Sequence, residues 1–233
     1  MKVDILAIGA HPDDVELGCG ATVAKMVAEG KKVGIIDLTR GELGTRGSAE
    51  IRDKEATEAA KILGVEFRKN LGFRDGFYTN DEEHQMKLIE VIRKYQPTII
   101  LCNAVEDRHI DHGKGADLVE KAAFLSGLKR IYTGQEAWRP KHIFHYIQWF
   151  PLKPHFILDV TGYLEKKKDA CMAYKTQFHD PKNNEPDTPI SSKTFQESIE
   201  YRAKDLGMLI GTQSGEGFTT NHYLGVKDFE GFV

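Results

Sequence analysis

Two short stretches of this chain bring together enough acid, base and imidazole to do chemistry. The first is Gly9-Ala10-His11-Pro12-Asp13-Asp14-Val15-Glu16-Leu17-Gly18, which crowds three carboxylates and a histidine between His11 and Glu16. Like charges this close raise one another's pKa unless a metal ion or a basic partner offsets them. His11 and Asp14 are three apart and can point at one centre while Asp13 is directed elsewhere, which reads as two metal ligands and one free carboxylate. The second stretch, Asp107-Arg108-His109-Ile110-Asp111-His112-Gly113, can supply a further ligand. Two histidines and one carboxylate, with a position left for water, form a catalytic zinc arrangement; a closed structural site would take four protein ligands. The groups left over then have work to do. A carboxylate beside a metal-bound water is a general base, and a second histidine can stabilise the oxyanion that develops on a carbonyl.

These stretches lie 98 residues apart, counted from Asp14 to His112, so the fold must bring them together. Val3 to Gly9 is an apolar, β-prone run, and Leu17 to Glu29 carries apolar residues at helical spacing before Gly30. A second strand is expected from Lys32 to Leu38, then a glycine-rich loop from Arg40 to Gly47. Ser48 can N-cap a helix over Ala49 to Leu63, with Gly64 closing it. A short strand from Val65 to Arg68 follows, then a loop holding Arg74, Asp75 and Gly76. Asn80 with Glu83 gives a capping-box start to a helix ending near Tyr95, and Pro97 introduces a strand from Thr98 to Asn103. Beyond Gly113 the pattern predicts a helix to about Lys129. Strands are expected at Ile143 to Gln148 and Phe156 to Val160, helices at Tyr163 to Phe178 and Lys193 to Ile210, and a loop from Asp180 to Ser192.

Alternating strands and helices predict an α/β, Rossmann-like, doubly wound fold: a mainly parallel sheet with helices on both faces. Ligands in such sheets bind beyond the carboxyl ends of the strands, where both acidic loops would lie. The chain is read as one domain over residues 1–233, with a less regular final third.

Composition narrows the classes of function. Forty per cent hydrophobic and 29% charged residues are ordinary for a globular chain, and no apolar run approaches a membrane span. A net charge of −3 and a pI near 6.3 supply no field for gripping a nucleic acid. No signal-peptide pattern opens the chain, so a cytoplasmic location is expected. Cys19, Cys102 and Cys171 are odd in number and far apart, and they read as reduced, buried thiols. A dinucleotide site is disfavoured: the G-x-G-x-x-G pattern is absent, and Asp13, Asp14 and Glu16 would repel a pyrophosphate. His142 and His145, three apart on a strand, point to opposite faces and read as packing residues. His84, His155, His179 and His222 read as solvated or loop residues. Trp138, Tyr146, Trp149 and Phe150 suit either a core or the interface of a homo-oligomer.

His11-Pro12-Asp13-Asp14 together with His109-Ile110-Asp111-His112 resembles the signature of the PIG-L/LmbE-like deacetylases, zinc enzymes that remove N-acetyl groups from glucosamine conjugates. Further strings resemble the bacillithiol-biosynthesis branch of that family. They are Asp37 to Gly47, Arg52 with Glu55, Leu71 to Gly76, Glu136 to Pro140, Tyr174 to Phe178, Pro189 to Lys193 and Glu216 to Phe218. The resemblance implies His11, Asp14 and His112 as zinc ligands, Asp13 as general base and His109 as the oxyanion-stabilising group. Asp111 would orient a histidine from behind, and Arg52 would reach the substrate. A related branch acting on an inositol conjugate carries a tyrosine where this chain has Asp107. The implied substrate is a small N-acetylglucosaminyl conjugate, N-acetylglucosaminyl-L-malate in this branch. Its two carboxylates call for basic groups, and Arg52, Arg46, Arg108 and Arg74 are the candidates, each weighed against a surface salt bridge. Glu42, Asp75 and Glu216 read either as contacts to sugar hydroxyls or as solvated loop positions. Two other readings stand beside this one: the same chemistry on a different acylated amine such as a cell-wall sugar, and a non-catalytic sugar- or nucleotide-binding protein, which leaves Asp13 unexplained. A site with two histidines and an aspartate also accepts Fe(II), Co(II) or Mn(II).

Overall fold

The computed structural model describes residues 1–226 and 228. Among the described residues seven strands form one sheet: β1 (Ile5–Gly9), β2 (Val33–Thr39), β3 (Phe67–Phe73), β4 (Ile99–Cys102), β5 (His142–Tyr146), β6 (Phe156–Asp159) and β7 (Gly215–Thr219). Their order is β3-β2-β1-β4-β5-β7-β6. The first five run parallel, and β7 lies antiparallel between β5 and β6. The helices are α1 (Asp14–Ala28), α2 (Ala49–Leu63), α3 (Glu82–Tyr95), α4 (Ile110–Ser126), α5 (Leu164–Met172) and α6 (Lys193–Leu209). The expected doubly wound, mainly parallel α/β sheet is therefore the observed one.

Strand alternation explains why helices cover both faces. Leu6 and Ile8 of β1, Ile36 and Leu38 of β2, and Ile100 and Cys102 of β4 pack with Leu88, Ile92, Leu118 and Val119 of α3 and α4. Ile5, Ala7, Val33, Ile35 and Leu101 point the other way, onto Val15, Cys19 and Val23 of α1, Leu63 of α2 and Ala170 of α5. A strand buried on both faces reads as a continuous apolar run, as these do. All three cysteines are buried and free. Among the described residues no helix is long and apolar enough to cross a membrane.

Several boundaries differ from the sequence expectation, for local reasons. Helix α1 begins at Asp14 rather than Leu17, and its backbone leaves helical geometry at Cys19. The amides of Ala21 and Thr22, just past that break, donate to the Glu216 carboxylate at 3.2 and 2.7 Å. Strand β3 runs to Phe73, and Asp81 rather than Asn80 caps α3, accepting from the His84 amide at 3.1 Å. Helix α4 starts at Ile110, so the second acidic stretch straddles its N-terminus, with Asp107 to His109 before the helix and Asp111 and His112 in its first turn. Helix α5 stops at Met172 instead of continuing to Phe178. Glu55 draws the chain aside there, accepting from the Thr176 amide and hydroxyl at 2.8 and 2.9 Å. Strand β7 was not expected, because two of its five residues are glycine. Neighbouring α6 runs so close that a Cβ at Gly207 would lie 2.5 Å from the Ser214 backbone.

His142 packs beside Phe144 and His222, and His145 is fully buried. His145 is more than packing. Its Nδ1 lies 2.8 Å from the Asn103 carbonyl and 3.3 Å from the Cys102 sulfur, and its Nε2 lies 2.9 Å from the Glu120 carboxylate. A neutral imidazole has one N–H, so only the imidazolium donates on both sides. Burial opposes that charge, but Cys102, Glu120 and Asn103 outweigh it and raise the pKa to about 11. A raised folded-state pKa gives stability that is complete below the ordinary value of 6.5 and is lost as pH rises through about 11. Urea unfolding from pH 7 to 10 should therefore show a falling free energy in the native protein and a flatter profile in His145→Gln, which starts about 2 kcal/mol less stable. Parallel profiles would remove the charged assignment.

Candidate metal centre

Strands β1 and β4 are neighbours, with Ile5 paired to Ile99 and Ala7 to Leu101. From β1 the chain passes to β2 on one side, whereas β4 is followed by β5 on the other, so the strand order reverses between β1 and β4. Open α/β sheets place their ligand crevice at this point. The loop after β1 carries His11, Asp13 and Asp14; the loop after β4 leads to His109 and His112. Asn103 ties the two: its Oδ1 accepts from the Ala10 amide at 2.8 Å, and its Nδ2 donates to Asp14 and Gln148 at 3.0 Å each.

Three imidazoles converge there. Ring nitrogens of His11, His109 and His112 lie within 4.8 Å of one another, as do donor atoms of His11, Asp75 and Asp111. Hydrogen bonds decide which nitrogens remain available. His11 Nε2 faces Asp75 at 2.9 Å and Asp111 at 3.5 Å. His112 Nδ1 faces Asp107 at 2.6 Å. His109 caps α4, its Nδ1 accepting from the Asp111 amide at 3.3 Å, which places the proton of the neutral ring on Nε2. The nitrogens left over are His11 Nδ1, 3.5 Å from Asp14, and His112 Nε2, 3.0 Å from Asp14. Both point at one carboxylate, itself held by the His11 amide, Asn103 and Gln148. Pairing the far nitrogen of each imidazole with a carboxylate is how proteins fix a metal-binding tautomer. Two imidazoles and a carboxylate so prepared fit a divalent ion.

The charges have definite partners. Burial works to lower the pKa of His11, but Asp111, Asp14 and Asp75 outweigh it and raise it well above the ordinary value. Burial likewise opposes charge on His112, yet Asp14 and Asp107 lift it to about 9. His109 shifts the other way, lowered by burial and by the charges of His11 and His112. Asp13 N-caps α1 with φ of 110°, a left-handed conformation uncommon outside glycine. Arg52 donates to its carboxylate at 2.6 Å and to the Pro12 carbonyl at 3.0 Å. Burial raises the Asp13 pKa, Arg52 opposes this and Asp14 adds to it, giving about 6. Glu16 does not share this centre. It is buried against Arg68, which also grips Asp37 through two bonds of 2.7 Å, and Tyr174 donates to Glu16 at 3.1 Å. Basic side chains therefore offset two of the three acids of the first stretch, Asp13 and Glu16.

A cavity of about 850 Å³ opens over His11, Asp13, Asp14, His109 and His112. Of the four arginines expected to meet a substrate, Arg52 and Arg108 line it. Arg46 does not: its buried guanidinium holds the carbonyls of Phe178, Glu185 and Pro186 and the Asp187 carboxylate. Arg74 is also outside the lining and lies over the Phe77 ring, 4.4 Å from its centre. Asp75 and Glu216 are buried rather than solvated, and Glu42 accepts from the Asp75 amide at 2.8 Å. Sequence reasoning missed the roles of Asp75 and Asp107 as partners of His11 and His112. Their positions in loops at the same sheet edge were the available signal. It also missed Arg202 of α6, which lines the cavity.

The histidines and aspartates gathered at the strand-order reversal of an open α/β sheet define the class: a Rossmann-like α/β protein with a candidate metal centre. Within that class, the GlcNAc-PI de-N-acetylase (PIG-L) model matches residues 6–123, just over half the chain, and the chain belongs to this family. It is similar to the uncharacterized deacetylase YaiS of Escherichia coli strain K12, 39% identical over 114 residues covering 46% of this chain and 61% of that protein. The match thus spans less than two thirds of that relative. It is also similar to a Bacillus anthracis protein named "Probable N-acetyl-alpha-D-glucosaminyl L-malate deacetylase 2", 26% identical over 75% of this chain and 81% of that one. Among solved structures, the conserved protein TT1542 from Thermus thermophilus is similar with 34% identity and a TM-score of 0.87, over 97% of this chain and 98% of that one.

Proposed function

We propose that this protein is a zinc-dependent hydrolase that removes the N-acetyl group from an N-acetylglucosaminyl conjugate, with N-acetylglucosaminyl-L-malate as substrate. The observation that carries the reading is the pair of imidazole nitrogens, His11 Nδ1 and His112 Nε2, that converge on Asp14 beside a separate, buried carboxylate, Asp13. Family membership and the similarity to the Bacillus anthracis protein support the acetylated amino sugar and the malate aglycone.

His11, Asp14 and His112 would hold the ion. A bound divalent ion supplies polarisation of the amide carbonyl and lowers the pKa of the attacking water. Asp13 accepts the proton that water gives up as its oxygen adds to the carbonyl carbon. A base whose pKa lies near 6 suits that task near neutral pH. Arg52 holds one Asp13 oxygen, Oδ2, and Asp13 lines the cavity. His109, neutral with its proton on Nε2, donates to the carbonyl oxygen as that atom gains charge, a contribution of about 3–4 kcal/mol by analogy with other acyl-transfer sites. Asp13 then passes its proton to the amine nitrogen, the C–N bond breaks, and acetate and the free amine leave.

Metal analysis of the purified protein with acetate release from N-acetylglucosaminyl-L-malate and from free N-acetylglucosamine tests this reading. About one equivalent of metal, faster release from the conjugate, and loss of metal in His112→Ala are expected. Full metal content in His112→Ala would refute the ligand set, and no acetate from either sugar would refute the deacetylase.

A further inference from the structure

Among the described residues four basic side chains other than histidine line the cavity: Arg52, Arg108, Lys167 and Arg202. Two are neutralised within it, Arg52 by Asp13 and Lys167 by Glu216, at 2.6 Å each. Among the described residues, Arg108 and Arg202 have no carboxylate partner, although Asp205 lines the same cavity. They arrive from different elements and meet on one residue. Arg108, next to His109, stacks its guanidinium over the Trp149 ring, 4.7 Å from the centre. Arg202, on α6, donates once to the Trp149 carbonyl at 3.0 Å. Phe195, two turns earlier on α6, stacks on the indole at 5.4 Å and 14° and restrains it.

A guanidinium has five N–H donors, and Arg202 commits one of them among the described residues. Burial lowers its pKa from the ordinary value, with the Asp107 carboxylate acting against this. A partly desolvated cation with unused donors gains most from an acceptor that brings charge and two oxygens, which is a carboxylate. Arg108 belongs to the loop that carries His109, and both arginines line the cavity that opens over His109, so an anion bound by either shares that cavity with the reacting amide.

We infer that Arg202, with Arg108 across Trp149, forms a subsite that reads a carboxylate on the aglycone and so sets the preference for acidic over neutral N-acetylglucosaminyl conjugates. This rests on the deacetylase reading above and adds to it a residue that selects the substrate. Arg202 is a specificity-determining residue; Trp149 and Phe195 position the pair.

The test compares kcat/KM for N-acetylglucosaminyl-L-malate and for methyl N-acetylglucosaminide in the native protein, Arg202→Gln and Arg202→Lys. Calorimetric binding of L-malate and of its neutral diamide is measured in parallel. Arg202→Gln should reduce the acidic-to-neutral ratio about 10- to 100-fold, through KM for the acidic conjugate, and Arg202→Lys should recover part of it. Malate should bind the native protein, the diamide should not, and Arg202→Gln should lose the binding. An unchanged ratio in a folded Arg202→Gln overturns the subsite while the deacetylase stands. Should neither conjugate be hydrolysed, selective malate binding lost in Arg202→Gln supports the subsite against the deacetylase, and absence of that binding overturns it.

Discussion

Asp13→Asn should lower turnover by about 10²- to 10⁴-fold while leaving the fold and the metal content in place. Asparagine is the replacement that isolates the proton chemistry. Asp13 sits at φ of 110°, and asparagine tolerates positive φ better than other side chains, so the entry into α1 survives. Its amide oxygen can still accept from Arg52, now at 2.6 Å from the carboxylate, so the arginine keeps an acceptor. What disappears is the ability to take a proton from water and return it to an amine. Burying a neutral group where burial already disfavours the charge also limits any loss of stability. Steady-state acetate release, metal analysis and a thermal melt on the same preparation check the result. Turnover within about threefold of the native protein would remove Asp13 as the base.

The second large effect is on stability. Arg68→Met should cost about 3–5 kcal/mol, because it strands two buried carboxylates, Glu16 and Asp37, that share this one guanidinium. For a chain of this size that corresponds to a fall of about 10 °C in Tm. Burial already raises the Asp37 pKa, and Arg68 is the largest influence holding it down. Without the arginine Asp37 should bind a proton more readily in the folded state, so the variant should regain stability as pH falls from about 8 towards 5. Adding Glu16→Gln and Asp37→Asn should restore part of the loss at neutral pH. A melt of Arg68→Met within about 2 °C of the native protein at pH 8 would show that the buried acids are not held by this ion pair.

The sheet and the meeting of the two acidic stretches were legible because they follow from periodicity. The apolar runs of β1, β2 and β4 have the form a strand takes when covered on both faces, and a parallel sheet brings the loops after β1 and β4 to one edge. His11, Asp14, His112, Asp13 and His109 accordingly fall together over one cavity. What could not be read was pairing between distant side chains. Nothing local to Asp75 or Asp107 announces that each will face an imidazole, and Arg46 gives no sign that it will hold the carbonyls of a segment some 140 residues away rather than a substrate. Strand β7 was hidden by its glycines: a Cβ at Gly215 would lie 2.6 Å from Ile157 of β6 and 3.1 Å from the Gly207 backbone of α6, and one at Gly217 3.1 Å from Ile147.

The interrupted helix α1 bears on how this architecture can be taken apart. Glu216, from near the end of the described chain, grips the amides of Ala21 and Thr22, and Lys167 of α5 neutralises it. The family model stops at residue 123, but the first helix is finished by groups far beyond that border. A fragment trimmed to the matched portion would lose the acceptor for those amides together with Tyr146 and Phe218, which pack on the same side as Val15 and Cys19. Chimeras that exchange the carboxyl-terminal third between relatives must therefore carry a matching α1 with it, or the graft will fail at a helix that the exchange never touched.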